Sequence, residues 1–132
     1  MNPNSTILVV EDNALNRKLV KDVLEHAGFT VLSVPTGEEG VQLATDRSPD
    51  LVLMDLQLPG IDGTEALRQL RSHPASRRIP VVAVTAFAMR EDREQARAAG
   101  FDGFVEKPIS TRALPRQVQR FLEAGHVQSG HV

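Results

Sequence analysis

Three acidic residues stand directly behind apolar segments of the chain, where carboxylates are unusual. Glu11 and Asp12 follow the run ILVV (7–10), and Asp55 follows LVLM (51–54). A charge that is buried without partners is unstable, so each carboxylate needs a cation, a hydrogen-bond donor or a helix to cap. Oxygen ligands without His or Cys suit Mg²⁺, which takes one or two carboxylates and accepts phosphate oxygens beside them. The three acids therefore predict a magnesium site that can receive a phosphoryl group.

Two further polar residues, Thr85 and Lys107, stand behind later apolar runs. Thr85 follows VVAV, and Lys107 follows GFVE. A lysine beside clustered acids would neutralise part of their charge, because like charges raise one another's pKa or demand a cation. Each residue alone also has an ordinary explanation: Asp12 or Asn13 could cap a helix, and Asp55 could belong to a turn. Their shared position behind the strands is what favours a functional cluster.

The apolar runs predict five β-strands, at residues 7–10, 30–34, 51–54, 81–84 and 103–105. Four of them are almost continuously apolar, which is typical of parallel strands covered on both faces. Helical patterns fill the intervals, so the order is β-α five times over. This predicts an α/β fold: a (βα)5 doubly wound, five-stranded parallel sheet in a flavodoxin-like three-layer sandwich. Of two plausible strand orders, 2-1-3-4-5 suits this chain length, and it makes strands 1 and 3 neighbours at the ligand-binding edge.

The helical patterns also predict which side chains are buried. In the segment ALNRKLVKDVLEHAG, apolar residues recur at helical spacing, and Gly28 ends the helix. The residues of this predicted apolar face are Leu15, Leu19, Val23, Leu24 and Ala27. The last helix should bury Leu114, Val118, Phe121 and Leu122, with Pro115 in its first turn.

Composition excludes several classes of function. The chain has 132 residues, which suits one domain, and its net charge of −2 argues against a nucleic-acid-binding face. No apolar run approaches the ~20 residues that span a bilayer, so we expect no membrane insertion. The N-terminal MNPNST does not resemble a signal peptide, and cysteine is absent. Together these features favour a cytoplasmic protein.

Four segments of the chain together resemble a known family: VVEDN, DLVLMDLQLPGIDG, VVAVTAFA and FVEKPIS. They are similar to the receiver domain of two-component response regulators, the CheY-like superfamily, and in detail to the stand-alone DivK-type cell-division regulators. The resemblance covers roughly residues 6–124 and is specific, because each motif follows its own predicted strand in order. It implies a receiver domain over residues 1–125 and a flexible C-terminal tail at 126–132.

The resemblance implies a chemical role for each clustered residue. Asp55 would be the phosphoacceptor, attacking a phosphohistidine on a sensor histidine kinase or a phosphotransfer protein. Lys107 and Thr85 would contact the phosphoryl oxygens, and the Lys107–Pro108 bond would be cis. The ligands of Mg²⁺, with Mn²⁺ as a substitute, would come from Glu11 through a bound water, Asp12, Asp55 and the backbone carbonyl of Gln57.

The resemblance also implies how a signal would leave the domain. Thr85 would move towards the phosphoryl group, Phe104 would act as the aromatic switch, and the face of the fourth helix, fifth strand and fifth helix would change shape for a downstream target. Gln57 and Phe87, two positions after Asp55 and Thr85, would tune the phosphoryl lifetime. Bulky Phe87 should exclude water and make autodephosphorylation slow. The protein would act as a monomer or weak dimer, without turnover of an external substrate.

Several other functions stay open at the level of sequence. The chain could be a phosphotransfer shuttle in a multi-step relay. An aspartyl-phosphate phosphatase on a similar sheet would carry Asp-x-Asp after the first strand, where this chain has EDN. A flavin or nucleotide binder would need a Gly- or Ser/Thr-rich phosphate loop there, and EDNALN is acidic instead. A docking module that is never phosphorylated would not need the complete acid set.

Overall fold

The computed structural model describes residues 4–86 and 89–125, so Phe87 and the predicted tail at 126–132 lie outside the described residues. Within these ranges, strands and helices alternate from end to end. The strands are β1 (Thr6–Val10), β2 (Thr30–Val34), β3 (Leu51–Asp55), β4 (Val81–Thr85) and β5 (Gly103–Glu106). The helices are α1 (Ala14–His26), α2 (Gly37–Arg47), α3 (Gly63–Ser72), α4 (Arg90–Ala99) and α5 (Leu114–Ala124).

The strands form one parallel sheet in the order β2-β1-β3-β4-β5, which confirms the predicted fold and topology. Helices α2, α3 and α4 cover one face of this sheet through residues such as Ala44, Leu67 and Ala96. Helices α1 and α5 cover the other face, where Leu24 and Val118 are fully buried. The central strands are buried on both faces, and this explains their nearly continuous apolar sequences.

Strands β3, β4 and β5 each extend one residue past the C-terminal end of the apolar run that predicted them. Asp55 is the last residue of β3 and pairs in register with Val84, and Thr85 is the last residue of β4 and pairs with Glu106. Both side chains are therefore attached to regular strand backbone rather than to loops. This attachment fixes their direction at the carboxyl edge of the sheet.

Helix α1 buries a different stripe from the predicted one. Val20 and Leu24 are buried, whereas Leu15 is 80% exposed and Leu19 is 45% exposed. The helix starts at the carboxyl edge of the sheet, so its first turns lie next to loops rather than above strands. The prediction that Leu15 and Leu19 belong to the core was therefore wrong, and their exposure needs another explanation.

Among the described residues, no helix has both the length and the apolar character that crossing a membrane requires.

Candidate functional site

The carboxylates of Glu11, Asp12 and Asp55 meet at the carboxyl edge of the sheet. One oxygen from each residue can be chosen so that all three lie within 4.8 Å of one another. Strands β1 and β3 are hydrogen-bonded neighbours, and this pairing brings their C-terminal ends together. Glu11 and Asp55 are buried, while Asp12 is exposed, so the cluster opens to solvent on one side.

Hydrogen bonds to backbone groups hold both the main chain and the side chain of Glu11. Its N–H donates to the carbonyl of Val34 in β2 at 3.0 Å, and its carboxylate accepts from the N–H of Asn13 at 3.0 Å. The Arg17 guanidinium donates to the Glu11 carbonyl at 2.9 Å. This role of Arg17 could not be predicted from the sequence, because an arginine one turn into a helix is usually solvated.

The cap of helix α1 is Asn13, whose side chain accepts from the N–H of Asn16 at 2.9 Å. The alternative that Asp12 caps this helix is therefore wrong. Because Asp12 does not cap the helix, its carboxylate remains at the exposed side of the acidic cluster, where a cation can reach it.

Asp55 has a defined partner for each carboxylate oxygen. Oδ1 accepts from the N–H of Gln57 at 2.9 Å, and Oδ2 accepts from the Lys107 ammonium at 2.6 Å. The start of α3 packs closely against the end of β3, and this is possible because Gly63 has no side chain. A Cβ at Gly63 would lie 2.6 Å from the carbonyl oxygen of Asp55 and 2.9 Å from Cα of Leu56.

Lys107 spans the cluster from the end of β5. Its ammonium lies 2.6 Å from Asp55 Oδ2 and 3.6 Å from Glu11 Oε1. Its backbone N–H donates to the carbonyl of Thr85 at 2.8 Å, and the Lys107–Pro108 peptide bond is cis, as the resemblance implied. Burial lowers the pKa of Lys107, but the hydrogen bond and charge of Asp55, together with Glu11, outweigh it, so the pKa is raised. Lys107 is therefore a cation throughout the physiological range.

The cluster carries more negative than positive charge even with Lys107 in place. Burial and the charge of Asp55 raise the pKa of Glu11 above its ordinary value, against the opposing effects of Asn13 and Lys107. The raised pKa means that ionisation of Glu11, next to two other carboxylates, is unfavourable in the folded chain. A set of hard oxygen ligands with surplus negative charge and an open side fits Mg²⁺, which retains water ligands. The acidic cluster is thus compatible with Mg²⁺.

Thr85 and Phe104 lie on neighbouring strands, on the side of the sheet that carries α4. Thr85 is buried at the end of β4. Phe104 is half-buried, pairs in register with Ala83 and packs against the apolar cluster under α2, α3 and α4. The guanidinium of Arg93 lies 4.8 Å from the centroid of the Phe104 ring.

An apolar groove next to the acidic cluster was missed at the level of sequence. It has a volume of about 430 Å³ and is lined by residues of α1 and of the segment after β5, among them Leu19, Pro108 and Ile109, and also by Glu11 and Lys107. Exposed Leu15 lies one turn from Leu19 on α1. Leu15 and Leu19 were the signal in the sequence, but the helical pattern placed them on one apolar face with Leu24, which is buried.

The fold and the acidic edge define a receiver domain, and comparison with known proteins shows the same. Residues 7–119 match the family model of the response regulator receiver domain, and the chain belongs to this family. It is 42% identical over 117 residues to the polar-differentiation response regulator DivK of Brucella ovis, with 89% of this chain and 95% of that protein covered. The chain is therefore a signalling protein of the two-component type.

Solved structures of receiver domains and response regulators are similar in fold to this chain. The receiver domain of sensor histidine kinase PA1611 from Pseudomonas aeruginosa PAO1 has a TM-score of 0.83 and 36% identity, covering 91% of this chain and 98% of that one. That structure has a magnesium ion coordinated in its active site cleft. The chemotaxis response regulator CheY4 of Vibrio cholerae has a TM-score of 0.85 at 24% identity, covering 89% of this chain and 98% of that one, and it supports the fold alone.

Proposed function

We propose that this protein receives a phosphoryl group on Asp55 from a phosphohistidine of a sensor kinase or a phosphotransfer protein. The observation that carries the proposal is the environment of Asp55. It is a buried carboxylate at the end of β3, bound to the Lys107 ammonium at 2.6 Å and adjacent to two further carboxylates. Such a group is both fixed in position and reachable from the open side of the cluster.

The residues that would hold Mg²⁺ are Glu11 through a water, Asp12, Asp55 and the backbone carbonyl of Gln57. When bound, the ion supplies positive charge to the oxygens of the transferring phosphoryl group. The PA1611 receiver domain, with magnesium in its cleft, supports this assignment by similarity.

The chain's own residues supply positioning and charge. An Asp55 oxygen forms a bond to phosphorus while the phosphorus–nitrogen bond of the phosphohistidine breaks, and the electron pair returns to the imidazole. This transfer needs in-line geometry and neutralisation of the phosphoryl oxygens rather than acid–base chemistry. The N–H of Gln57 orients Asp55, and Lys107 exchanges its contact with the carboxylate for the phosphoryl oxygens. The Thr85 hydroxyl donates to one of these oxygens.

The phosphodonor docks on the apolar groove beside the acidic cluster. Leu15 and Leu19 are exposed, and Leu19, Lys107 and Glu11 all line the groove. An apolar helix that carries the phosphohistidine matches this surface, because a helix lying along α1 would hold its imidazole near Lys107, which contacts Asp55. Burial of exposed leucines supplies the binding energy, at ~25 cal/mol per Å² of apolar surface removed from water.

The phosphorylated state is read at the face formed by α4, β5 and α5. Movement of Thr85 towards the phosphoryl group leaves space on the α4 side of the sheet, and Phe104 turns into it. Both residues lie on that side of neighbouring strands, which supports a linked movement. A downstream protein then binds the changed face.

Phosphorylation with a small-molecule donor tests the central claim. Acetyl phosphate and Mg²⁺ should add the mass of one phosphoryl group to the intact chain, and Asp55→Asn should abolish this addition. Wild-type protein of unchanged mass would contradict the proposal. A transfer screen with purified, autophosphorylated sensor kinases then identifies the physiological donor, with Asp55→Asn as the control.

A further inference from the structure

The loop between β3 and α3 (residues 56–62) is fixed at the end that carries Gln57. The N–H of Gln57 donates to Asp55 Oδ1 at 2.9 Å. The N–H of Gly63 donates to the carbonyl of Leu56 at 3.3 Å and closes the loop at its base. The far end of the loop is held differently, because it contacts the first turn of α2.

Two glycines let the first turn of α2 approach the far end of this loop closely. A Cβ at Gly60 would lie 2.8 Å from Glu38 Oε2, and a Cβ at Gly37 would lie 2.9 Å from Cγ1 of Ile61. Gly60 has a φ of +74° and follows Pro59, a sequence typical of a type II turn. The turn therefore presents backbone to α2 at a distance that no larger residue would permit.

Glu38 makes the polar contact between α2 and the loop. Its Oε2 accepts from the N–H of Ile61 at 3.4 Å. Glu38 lies in the first turn of α2, where the helix dipole stabilises a carboxylate. The cap of α2 is formed by other residues, because Thr36 accepts from the N–H of Glu39 at 3.1 Å and its hydroxyl donates to the Glu39 carboxylate at 3.3 Å. The carboxylate of Glu38 is therefore directed at the loop rather than at its own helix.

We propose that Glu38 is a positioning residue for the magnesium and phosphoryl chemistry, and that it acts through the loop that carries Gln57. The inference deepens the proposed function and rests on it, since the Gln57 carbonyl is there a ligand of Mg²⁺ and the Gln57 N–H orients Asp55. A loop that is held at both ends keeps this carbonyl in place before the ion arrives. A loop that is held at one end must be ordered when the ion binds, and this ordering reduces affinity.

Three variants separate the hydrogen bond from charge and from the stability of α2. Glu38→Ala removes the acceptor for the Ile61 N–H, and Glu38→Gln keeps an acceptor oxygen without the charge. Glu39→Ala is the matched control, because it removes a carboxylate from the same turn and also a contact of the helix cap. Both positions are exposed, so urea unfolding in EDTA should give nearly the wild-type midpoint in every variant.

The affinity of the full-length protein for Mg²⁺ is the direct measurement. Each ¹⁵N-labelled protein is titrated with Mg²⁺, and the shifts of amide resonances at the acidic cluster give the dissociation constant. Glu38→Ala should raise this constant about three- to tenfold, the range that one hydrogen bond is worth. Glu38→Gln and Glu39→Ala should change it less than about twofold. Without metal, amide hydrogen exchange at Ile61 should be faster in Glu38→Ala alone.

Labelling by acetyl phosphate should show the same difference as a greater requirement for Mg²⁺. At limiting Mg²⁺ Glu38→Ala should label more slowly than wild type, and saturating Mg²⁺ should restore the rate.

Wild-type affinity in Glu38→Ala, or an equal loss of affinity in Glu39→Ala, would overturn the inference. A Glu38→Gln variant that binds Mg²⁺ as weakly as Glu38→Ala would also overturn it, because the charge and not the hydrogen bond would then act. If the affinities follow the expected order but acetyl phosphate leaves Asp55 unmodified, the positioning role of Glu38 stands and the proposed function fails.

Discussion

The charged form of Glu11 is disfavoured in the folded, metal-free acidic cluster. Burial and the neighbouring Asp55 charge raise its pKa from the ordinary 4.5. A carboxyl group with a raised pKa binds its proton more tightly in the folded chain than in the unfolded chain. Its contribution to the free energy of unfolding is therefore fully present below about pH 4.5 and declines as the pH rises through the raised pKa. At neutral pH, ionised Glu11 destabilises the metal-free protein.

The substitution Glu11→Gln should remove this destabilisation while keeping the acceptor for the Asn13 N–H. In metal-free buffer at pH 7 we expect the melting temperature to rise by roughly 3 °C, equivalent to about 1 kcal/mol, and the gain to vanish towards pH 4. With Mg²⁺ the order should reverse, because the variant has lost a metal-facing carboxylate. Thermal unfolding with EDTA and with Mg²⁺, over a pH series, measures both effects. A variant that is less stable than wild type at pH 7 in EDTA would contradict this account.

Arg71 stabilises the opposite end of the molecule. Its guanidinium donates to the carbonyls of Arg77, Ile79 and Gly100 and to the carboxylate of Asp102, which also accepts from the N–H of Val81. This network joins the end of α3 to the loops before β4 and β5. Because it lies at the amino edge of the sheet, it should affect stability without affecting the phosphorylation chemistry.

Arg71→Lys separates stability from function. A lysine keeps the charge but lacks the planar fork that reaches several acceptors at once, so we expect a loss of about 2–4 kcal/mol in urea unfolding. Labelling of the folded variant by acetyl phosphate should be unchanged. Arg68→Lys is the control, since Arg68 forms an exposed pair with Glu65 on the same helix, and its effect on stability should be much smaller than that of Arg71→Lys. Equal losses in the two variants would show that the network around Arg71 contributes nothing special.

The sequence pattern identified the acidic residues that follow apolar strands. It missed two arginines that make structural hydrogen bonds, because arginines at such positions are usually solvated. Glu11, Asp12 and Asp55 attract attention because acids rarely follow apolar strands, and the sheet order then brings them together. Arg17 and Arg71 look like surface arginines in the sequence. Apart from the Asp102 carboxylate, their acceptors are backbone carbonyls, which no side-chain pattern reveals.

Helix α1 illustrates what periodicity predicts and what it leaves open. The pattern correctly indicated a helix that ends near Gly28, but it assigned Leu15 and Leu19 to the core. Periodicity gives the direction of a side chain around the helix axis and not what lies beneath it. The first turns of α1 lie next to loops, so Leu15 is exposed and Leu19 lines the groove next to Lys107.

The double substitution Leu15→Ser and Leu19→Ser should separate donor docking from chemistry. Both side chains are exposed, so unfolding free energy should change by less than about 1 kcal/mol. Transfer from a phosphorylated sensor kinase should slow at least about tenfold through loss of apolar contact, while labelling by acetyl phosphate should keep its rate. Reactions with each of the two donors are stopped at successive times, and gel electrophoresis measures how much of the protein is phosphorylated. If both donors slow equally, the leucines act on the site itself and the docking role is wrong.

The junction of β3 and α3 should tolerate no added methyl group. In Gly63→Ala, the new Cβ meets the Asp55 carbonyl and the Leu56 backbone, neither of which can rotate away. We expect a loss of about 1–3 kcal/mol, with slower labelling of Asp55 by acetyl phosphate because its strand end is displaced. Thr64→Ala, one residue further at an exposed position of α3, is the control and should label at the wild-type rate. Wild-type labelling in both variants would show that α3 does not fix the acceptor.

At the scale of the whole molecule, the topology follows from a few general rules applied to this chain. Continuous apolar strands alternating with helices require a parallel sheet with crossovers of one hand, which leaves few strand orders. The order β2-β1-β3-β4-β5 places the ends of β1, β3 and β5 close enough for Glu11, Asp55 and Lys107 to make contact. The groove beside α1 depends on how this helix is rotated and offset on the sheet. This offset arises from packing, so the sequence pattern did not predict it.

The lifetime of the phosphoryl group should reflect how well the assembled edge of the sheet excludes water. Gln57 is exposed beside Asp55, and the sequence places bulky Phe87 two residues after Thr85. Neither side chain supplies a charged group to activate water, so we expect the phosphorylated protein to decay over many minutes or longer, on the order expected for a site closed to solvent.

Purified phosphoprotein, freed of donor and followed with Mg²⁺ by intact mass, measures this decay. Phe87→Ala should decay faster because water gains access, whereas Arg71→Lys, which acts at the other edge of the sheet, should decay at the wild-type rate. Loss of the phosphoryl group within seconds in the wild-type protein would show that the closed edge does not protect it. If the phosphoryl group decayed equally faster in both variants, its lifetime would instead depend on global opening of the fold. Only the stability of the whole domain connects residue 71 with Asp55.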